Sequence, residues 1–287
     1  MLTALQLQQL SRRRAVPSLK QQYHEYILQR IESYKNALPR RELLQLGNEA
    51  VAEMEAEGDQ FLLTEVLLTD WVDRLIYKRL RLQPYSRWSK QFRQLRAAQQ
   101  EPTHWGIDRR NPVTRLLPRL EPGDRALVIG ADAAPLAFLL AAHDVEVVFT
   151  GSDMTFVDQI ESKVAEEALG HYCSTYVSPA GHLGPGLPDR LQIVALDTVT
   201  LEAESAAARR VLVERLMERT DCGGVHLILP STHALAPDAF LSLYADWSRE
   251  ELPRDKRRPL KSMGLLLGKP PAVAESGDSI CSRDVPA

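Results

Sequence analysis

From about residue 114 the sequence falls into short runs of Val, Ile and Leu, most followed by a stretch with helical spacing. This alternation constrains the fold more than any other feature of the chain. RALVIGA leads into APLAFLLAAH, VEVVFTG into SDMTFVDQIESKVAEEAL, and LQIVALDTV into ESAAARRVLVERLMERT, while STYVSPA and GGVHLILPS supply a third and a fifth strand. Two parallel strands need a crossover of a dozen or more residues, usually a helix, so strands alternating with helices imply a parallel sheet. Strands apolar at nearly every position are buried on both faces. The expected fold is therefore α/β, a doubly wound and mostly parallel sheet with helices on both sides.

The first hundred residues have only helical periodicity. SLKQQYHEYILQRIESYKNAL sets Tyr23, Tyr26, Ile27, Ile31 and Tyr34 at helical spacing before Pro39. RRELLQLGNEAVAEMEAE repeats the pattern through Leu43, Leu44, Leu46, Ala50, Val51 and Met54, then stops at Gly58-Asp59. QFLLTEVLLTDWVDRLIYKRLRL is the most apolar of these segments and is expected at the centre of a bundle; SRWSKQFRQLRAA follows Pro84 as a further helix. The expected organisation is a helical domain over 1–106, the α/β domain over 107–270, and a small, polar, disordered tail over 271–287. Charge divides in the same way. Residues 1–110 hold 18 Lys and Arg against 13 Asp and Glu, a net of +5, and the remainder nets −8.

Composition narrows the function classes. No apolar run approaches the roughly 20 residues needed to cross a bilayer, so no membrane partner is expected. The three cysteines, Cys173, Cys222 and Cys281, make neither a disulfide framework nor a metal motif, and the seven histidines lack ligand spacing. A reducing cytoplasm and the absence of a structural metal are the expectations.

In a doubly wound sheet, ligands bind at the carboxyl ends of the strands near the switch in strand order. The turn IGADAAP, after the first strand, falls there. Gly130 meets the need for unusual backbone angles, and Ala131, Ala133 and Ala134 are small enough for close approach. Asp132 stands where a second glycine is common, and its charge opposes a pyrophosphate. That disfavours a nicotinamide dinucleotide and an oxidoreductase built on it.

The order of elements resembles the class I S-adenosylmethionine-dependent methyltransferases. EPGDRALVIGADAAPLAFLLA is similar to their first motif, LQIVALDTV to the fourth strand and CGGVHLILP to the turn into the fifth. DAFLSLYADW and KSMGLLLGKP resemble the helix and the antiparallel hairpin that close the sheet. The likeness covers roughly residues 110–270. It implies a Rossmann-like methyltransferase-type fold, S-adenosylmethionine as cofactor, and a cofactor site at Gly130, Ala131, Asp132, Ala133 and Asp153. It departs from the family at Val128, where an acid is usual, and in having Gly130-Ala131-Asp132-Ala133-Ala134 for a G-x-G-x-G run. The acid usual at the end of strand two falls near Thr150 or Gly151, with Asp153 the nearest carboxylate.

Asp197, at the end of strand four, would lie near the transferred methyl group as the catalytic candidate. It could take a proton from the nucleophile, orient it, or serve as a strand-end or helix-cap residue. His182 is a loop histidine, His226 a core histidine, and Tyr244 and Trp247 are expected to pack. THWGI, with His104, Trp105 and Gly106, is expected to fold onto the α/β domain, as a lid in one arrangement. Across residues 74–96 the chain carries eight Lys and Arg and no acid, interleaved with Tyr77, Tyr85, Trp88 and Phe92. The aromatics follow the apolar stripe of an amphipathic helix, which favours packing; a nucleic-acid or acidic partner is the alternative. The leading function is methyl transfer to an unidentified acceptor. The alternative is a degenerate methyltransferase fold serving as a non-catalytic binding or scaffold module.

Overall fold

The five runs expected as parallel strands each form one in the computed structural model, which describes residues 17–56, 65–179, 181–184, 187–202, 204–229, 241–251 and 265–271. The described residues divide into two units, one ending at Leu95 and one beginning at Arg96.

The first unit is helical: α1 (Leu19–Ala37), α2 (Arg40–Ala56), α3 (Glu65–Arg79) and most of α4 (Tyr85–Gln99). Ser18 caps α1 by accepting from the Gln21 amide, and the chain leaves the helix at Leu38, before Pro39. As expected, α3 is central: it packs against both α1 and α2. Ile31, Leu46, Ala50, Met54, Trp71, Leu75, Ile76 and Leu82 form the core. The expected stripe of α2 is narrower than the sequence suggests. Leu46, Ala50 and Met54 share a line four residues apart, whereas Leu44 lies about 160° around the helix from Leu46 and is 63% exposed. The stop at Gly58-Asp59 lies outside the described residues.

The second unit holds a seven-stranded sheet in the order β3-β2-β1-β4-β5-β7-β6. Its strands are β1 (Arg125–Ile129), β2 (Glu146–Gly151), β3 (Cys173–Val177), β4 (Leu191–Asp197), β5 (Thr220–Leu229), β6 (Ser248–Glu251) and β7 (Leu265–Gly268). The first five run parallel, and β7 is antiparallel to both β5 and β6. This is the doubly wound, Rossmann-like methyltransferase-type architecture expected, closing hairpin included. The longer helices between strands are α5 (Ala134–Ala142), α6 (Met154–Glu166) and α7 (Ala206–Arg219), and a single helical turn, Thr198–Glu202, follows β4 directly. Much of the segment between β5 and β6, the start of KSMGLLLGKP and the expected tail from Ala272 lie outside the described residues.

Period-two alternation explains the two cores. Ala126 and Val128 of β1 face one core with Val147 and Phe149 of β2, under α5 and α6. Leu127 and Ile129 face the other, under Leu212, Val213 and Leu216 of α7. Helix α5 is apolar on all sides, so the sheet alone cannot cover it. Ile107, Val113 and Leu116 join its core from the segment before β1, and Trp105 stacks on Phe138 at 5.1 Å. That segment is tied at the far ends of the helices. Gln99 donates to the Glu167 backbone carbonyl (2.9 Å), and Gln100 donates to the Ala142 carbonyl (3.3 Å). THWGI therefore folds onto the outer helical layer, and it does not form a lid over the carboxyl ends of the strands. The reason is the bare apolar flank of α5, which needs Trp105 more than the sheet edge does.

Candidate functional site

The strand order reverses between β1 and β4, so the switch point lies at their carboxyl ends. Gly130 ends β1 with φ +96°, a conformation that L side chains rarely adopt. A Cβ there would fall on the Asp197 carboxylate. Asp197 is buried at the end of β4, and its two oxygens are both engaged. One accepts from the Asp132 amide (3.1 Å); the other accepts from the Thr200 amide (2.8 Å) and the Thr200 hydroxyl (2.7 Å). The Gly130 amide donates to the Thr150 carbonyl of β2 (3.0 Å). Gly130, Ala131, Asp132 and Ala133 are thus joined with Asp197 and Thr150 into one knot. Within it Ala133 is buried, and Ala131 and the Asp132 side chain face solvent.

Asp153 stands apart from that knot. It is exposed, in extended backbone, and caps α6 by accepting from the Phe156 amide (3.2 Å). It therefore stands at the carboxyl end of β2 with one oxygen committed to the cap. The acid position of the resembled family falls on Thr150 and Gly151, the first buried, the second close under Val157 and Phe149.

Apolar residues that carry no motif in the sequence complete this rim. Met154 (65% exposed), Val177 (47%) and Val199 (46%) sit at or just past the ends of β2, β3 and β4. Their only signal in the sequence is position: large side chains at or within three residues of strand ends. Thr200 does carry a signal, since Asp197-x-x-Thr200 is the spacing of a side-chain cap.

The histidines separate clearly. His182 is exposed, and its carbonyl accepts from the Ser178 hydroxyl (2.7 Å). His226 is wholly buried in β5. Its Nε2 lies 2.8 Å from the Thr220 hydroxyl and its Nδ1 2.8 Å from the Tyr244 hydroxyl. Thr220 donates to the Leu216 carbonyl. The proton order follows: Nε2–H donates to Thr220, and Tyr244 donates to Nδ1. Burial, with the Lys269 charge, lowers the His226 pKa to about 3, so the ring is neutral. Tyr244 and Trp247 pack around it, with ring centroids 5.5 and 4.6 Å from the imidazole. His226 is a core histidine, as expected.

The rim combines two exposed carboxylates, a small-residue turn and exposed apolar side chains. The two carboxylates put negative charge at this end of the sheet, which opposes an anionic group such as a pyrophosphate.

No protein-family model matches this chain, and no curated protein matches it. Several solved structures are similar in part. The CurJ carbon methyltransferase is 13% identical at a TM-score of 0.43, covering 56% of this chain and 52% of its own. A Streptococcus thermophilus rRNA methylase is 10% identical at a TM-score of 0.43, covering 54% of this chain and 92% of its own. A Methanosarcina mazei SAM-dependent methyltransferase is 12% identical at a TM-score of 0.41, covering 56% of this chain and 98% of its own. The present chain spans about half the length of the first of these.

Proposed function

We propose that the α/β unit is an S-adenosylmethionine-dependent methyltransferase. One observation carries this reading: the strand order β3-β2-β1-β4-β5-β7-β6, with β7 alone reversed, turns at a small-residue loop flanked by exposed acids. The lining fits the cofactor, which supplies an electrophilic methyl group on a sulfonium. Gly130 makes way for the Asp197 carboxylate and Ala133 lies buried under the turn, so the room for the cofactor against the backbone is over the exposed, small Ala131. Asp132 would hold its ammonium, Asp153 its ribose hydroxyls, and Met154 and Val199 would offer apolar surface to the base. A cationic cofactor matches Asp132, whereas a dinucleotide pyrophosphate does not.

Asp197, the catalytic candidate, acts through the turn as a positioning residue. Both its oxygens are engaged by Asp132 and Thr200, so its contribution is the alignment of the loop that holds the methyl donor.

Calorimetric titration with S-adenosylmethionine and S-adenosylhomocysteine, with NADH as control, tests the assignment. Micromolar binding of the first two is expected, weakened at least about tenfold by Asp132→Lys and by Asp153→Asn, which keeps an acceptor for the helix cap. No heat and no thermal shift at millimolar ligand would overturn the reading in favour of a non-catalytic binding module.

A further inference from the structure

The eight cations of residues 74–96 are not equivalent once folded. Arg74 lies over the Trp71 ring at 5.2 Å. Lys78 pairs with Glu53 at 3.2 Å, and Arg79 pairs with Glu49. Arg96 lies over the Tyr172 ring at 5.3 Å and is largely desolvated, which lowers its pKa. Half of the run is thus spent on internal contacts. The other four, Arg81, Arg87, Lys90 and Arg93, are exposed, and among the described residues none of them forms an ion pair.

Three of these share one ridge of α4. Arg87, Lys90 and Arg93 are spaced three residues apart, so they are surface neighbours with about 4.5 Å of rise between successive members. Gln91 and Gln94 lie beside them, also exposed. The aromatics that interleave with them point elsewhere. Trp88 is buried against Tyr23 (5.2 Å), Tyr26 (5.9 Å) and Phe92 (4.8 Å), and Tyr85 packs on Tyr23 (5.4 Å). The helix therefore presents cations and amide donors in a row, without a carboxylate over Tyr85–Gln99 and without an apolar anchor on that ridge.

We propose that this ridge of α4 binds the phosphate backbone of a nucleic acid. A protein partner draws most of its binding energy from a few desolvated anchors, Trp, Tyr or Arg seated in pockets, and here the aromatics that would complete such an anchor are turned inward, away from the ridge. A membrane surface would need apolar side chains to insert between the charges, and these too are lacking. A polyanion with evenly spaced charges needs only what is there. Because the aromatics are occupied, bases are not stacked, and binding is independent of sequence. The site is independent of methyl transfer, so neither assignment depends on the other.

The test is fluorescence anisotropy of the full chain with a labelled single-stranded RNA of about 20 nucleotides, in about 50 and 200 mM KCl. Three backbone contacts give a salt slope near −2, so that fourfold rise in salt should weaken binding roughly twentyfold. The variant Arg87→Gln/Lys90→Gln/Arg93→Gln should weaken binding at least about tenfold at the lower salt, with an unchanged melting temperature. A charge-matched control, Arg109→Gln/Arg110→Gln/Arg210→Gln, should change it far less. Absence of binding, or binding indifferent to the α4 variant, would overturn the proposal. So would equal affinity for a labelled polyglutamate of matched charge, which would assign the ridge to an acidic protein.

Discussion

The two ends of the parallel sheet are built on different plans. At the amino end, side chains stitch together elements distant in sequence. Gln192 accepts from the Arg125 amide (2.7 Å) and donates to Asp221 (2.7 Å), which also pairs with Arg190 (2.9 Å). Lys269 donates to the carbonyls of Met217 and Thr220, closing the end of α7, and the His226 chain of hydrogen bonds pins Tyr244 to β5. At the carboxyl end a single buried carboxylate, Asp197, holds one turn, and around it Asp132, Asp153, Met154 and Val199 remain exposed. Side-chain hydrogen bonds between distant elements gather where the sheet is closed, and the proposed ligand site lies where it is open.

The contrast is sharpest at His226, which lies at mid-strand opposite Val194 and reaches Thr220 at the amino end through its Nε2. His226→Ala would leave the hydroxyls of Thr220 and Tyr244 without their partner and open a cavity, costing about 3–4 kcal/mol in urea unfolding at pH 7. A loss below about 1 kcal/mol would show that the amino end is not held there. The folded pKa of about 3 lies below the 6.5 of the free side chain, so the unfolded chain binds the proton first on acidification. The stability contributed by neutral His226 is complete above pH 6.5 and is lost as pH falls towards 3. His226→Gln should flatten that part of the stability profile.

The next effect belongs to the open end. Gly130→Ala adds a Cβ onto the Asp197 carboxylate in a left-handed backbone, and should cost about 2 kcal/mol, read as a lowered melting temperature. A variant as stable as the parent would mean that the turn is free to move, and the knot at β1 and β4 would not exist. Smallest is Asp153. Asp153→Ala removes a helix cap and should cost about 1 kcal/mol, while Asp153→Asn should cost close to nothing. Equal losses for the two would mean that charge, rather than the cap bond, supports α6.

The strands were legible because burial on both faces leaves no polar position in a run such as ALVI, and a helix follows most of the parallel strands. The candidate turn was legible because Gly130 interrupts such a run. The partners within the site were not. Asp197 and Gly130 lie 67 residues apart, and their contact follows from β1 and β4 being neighbours in the sheet. THWGI folds onto the α/β domain as expected, and where on it was not legible for a similar reason: the demand for Trp105 comes from the uncovered flank of α5, a surface that exists only after the sheet has formed.

Patterning along the chain by itself determined which segments are strands and helices, because periodicity and burial are local consequences of side-chain chemistry. It also placed His226, Tyr244 and Trp247 in the core. Only the tertiary structure decided which charges are spent. Lys78 and Arg79 meet Glu53 and Glu49 across a helix pair, whereas Arg87, Lys90 and Arg93 face solvent. In sequence these cations look alike, since a charge is neutralised by what lies within a few ångströms of it in space and not by its neighbours in the chain.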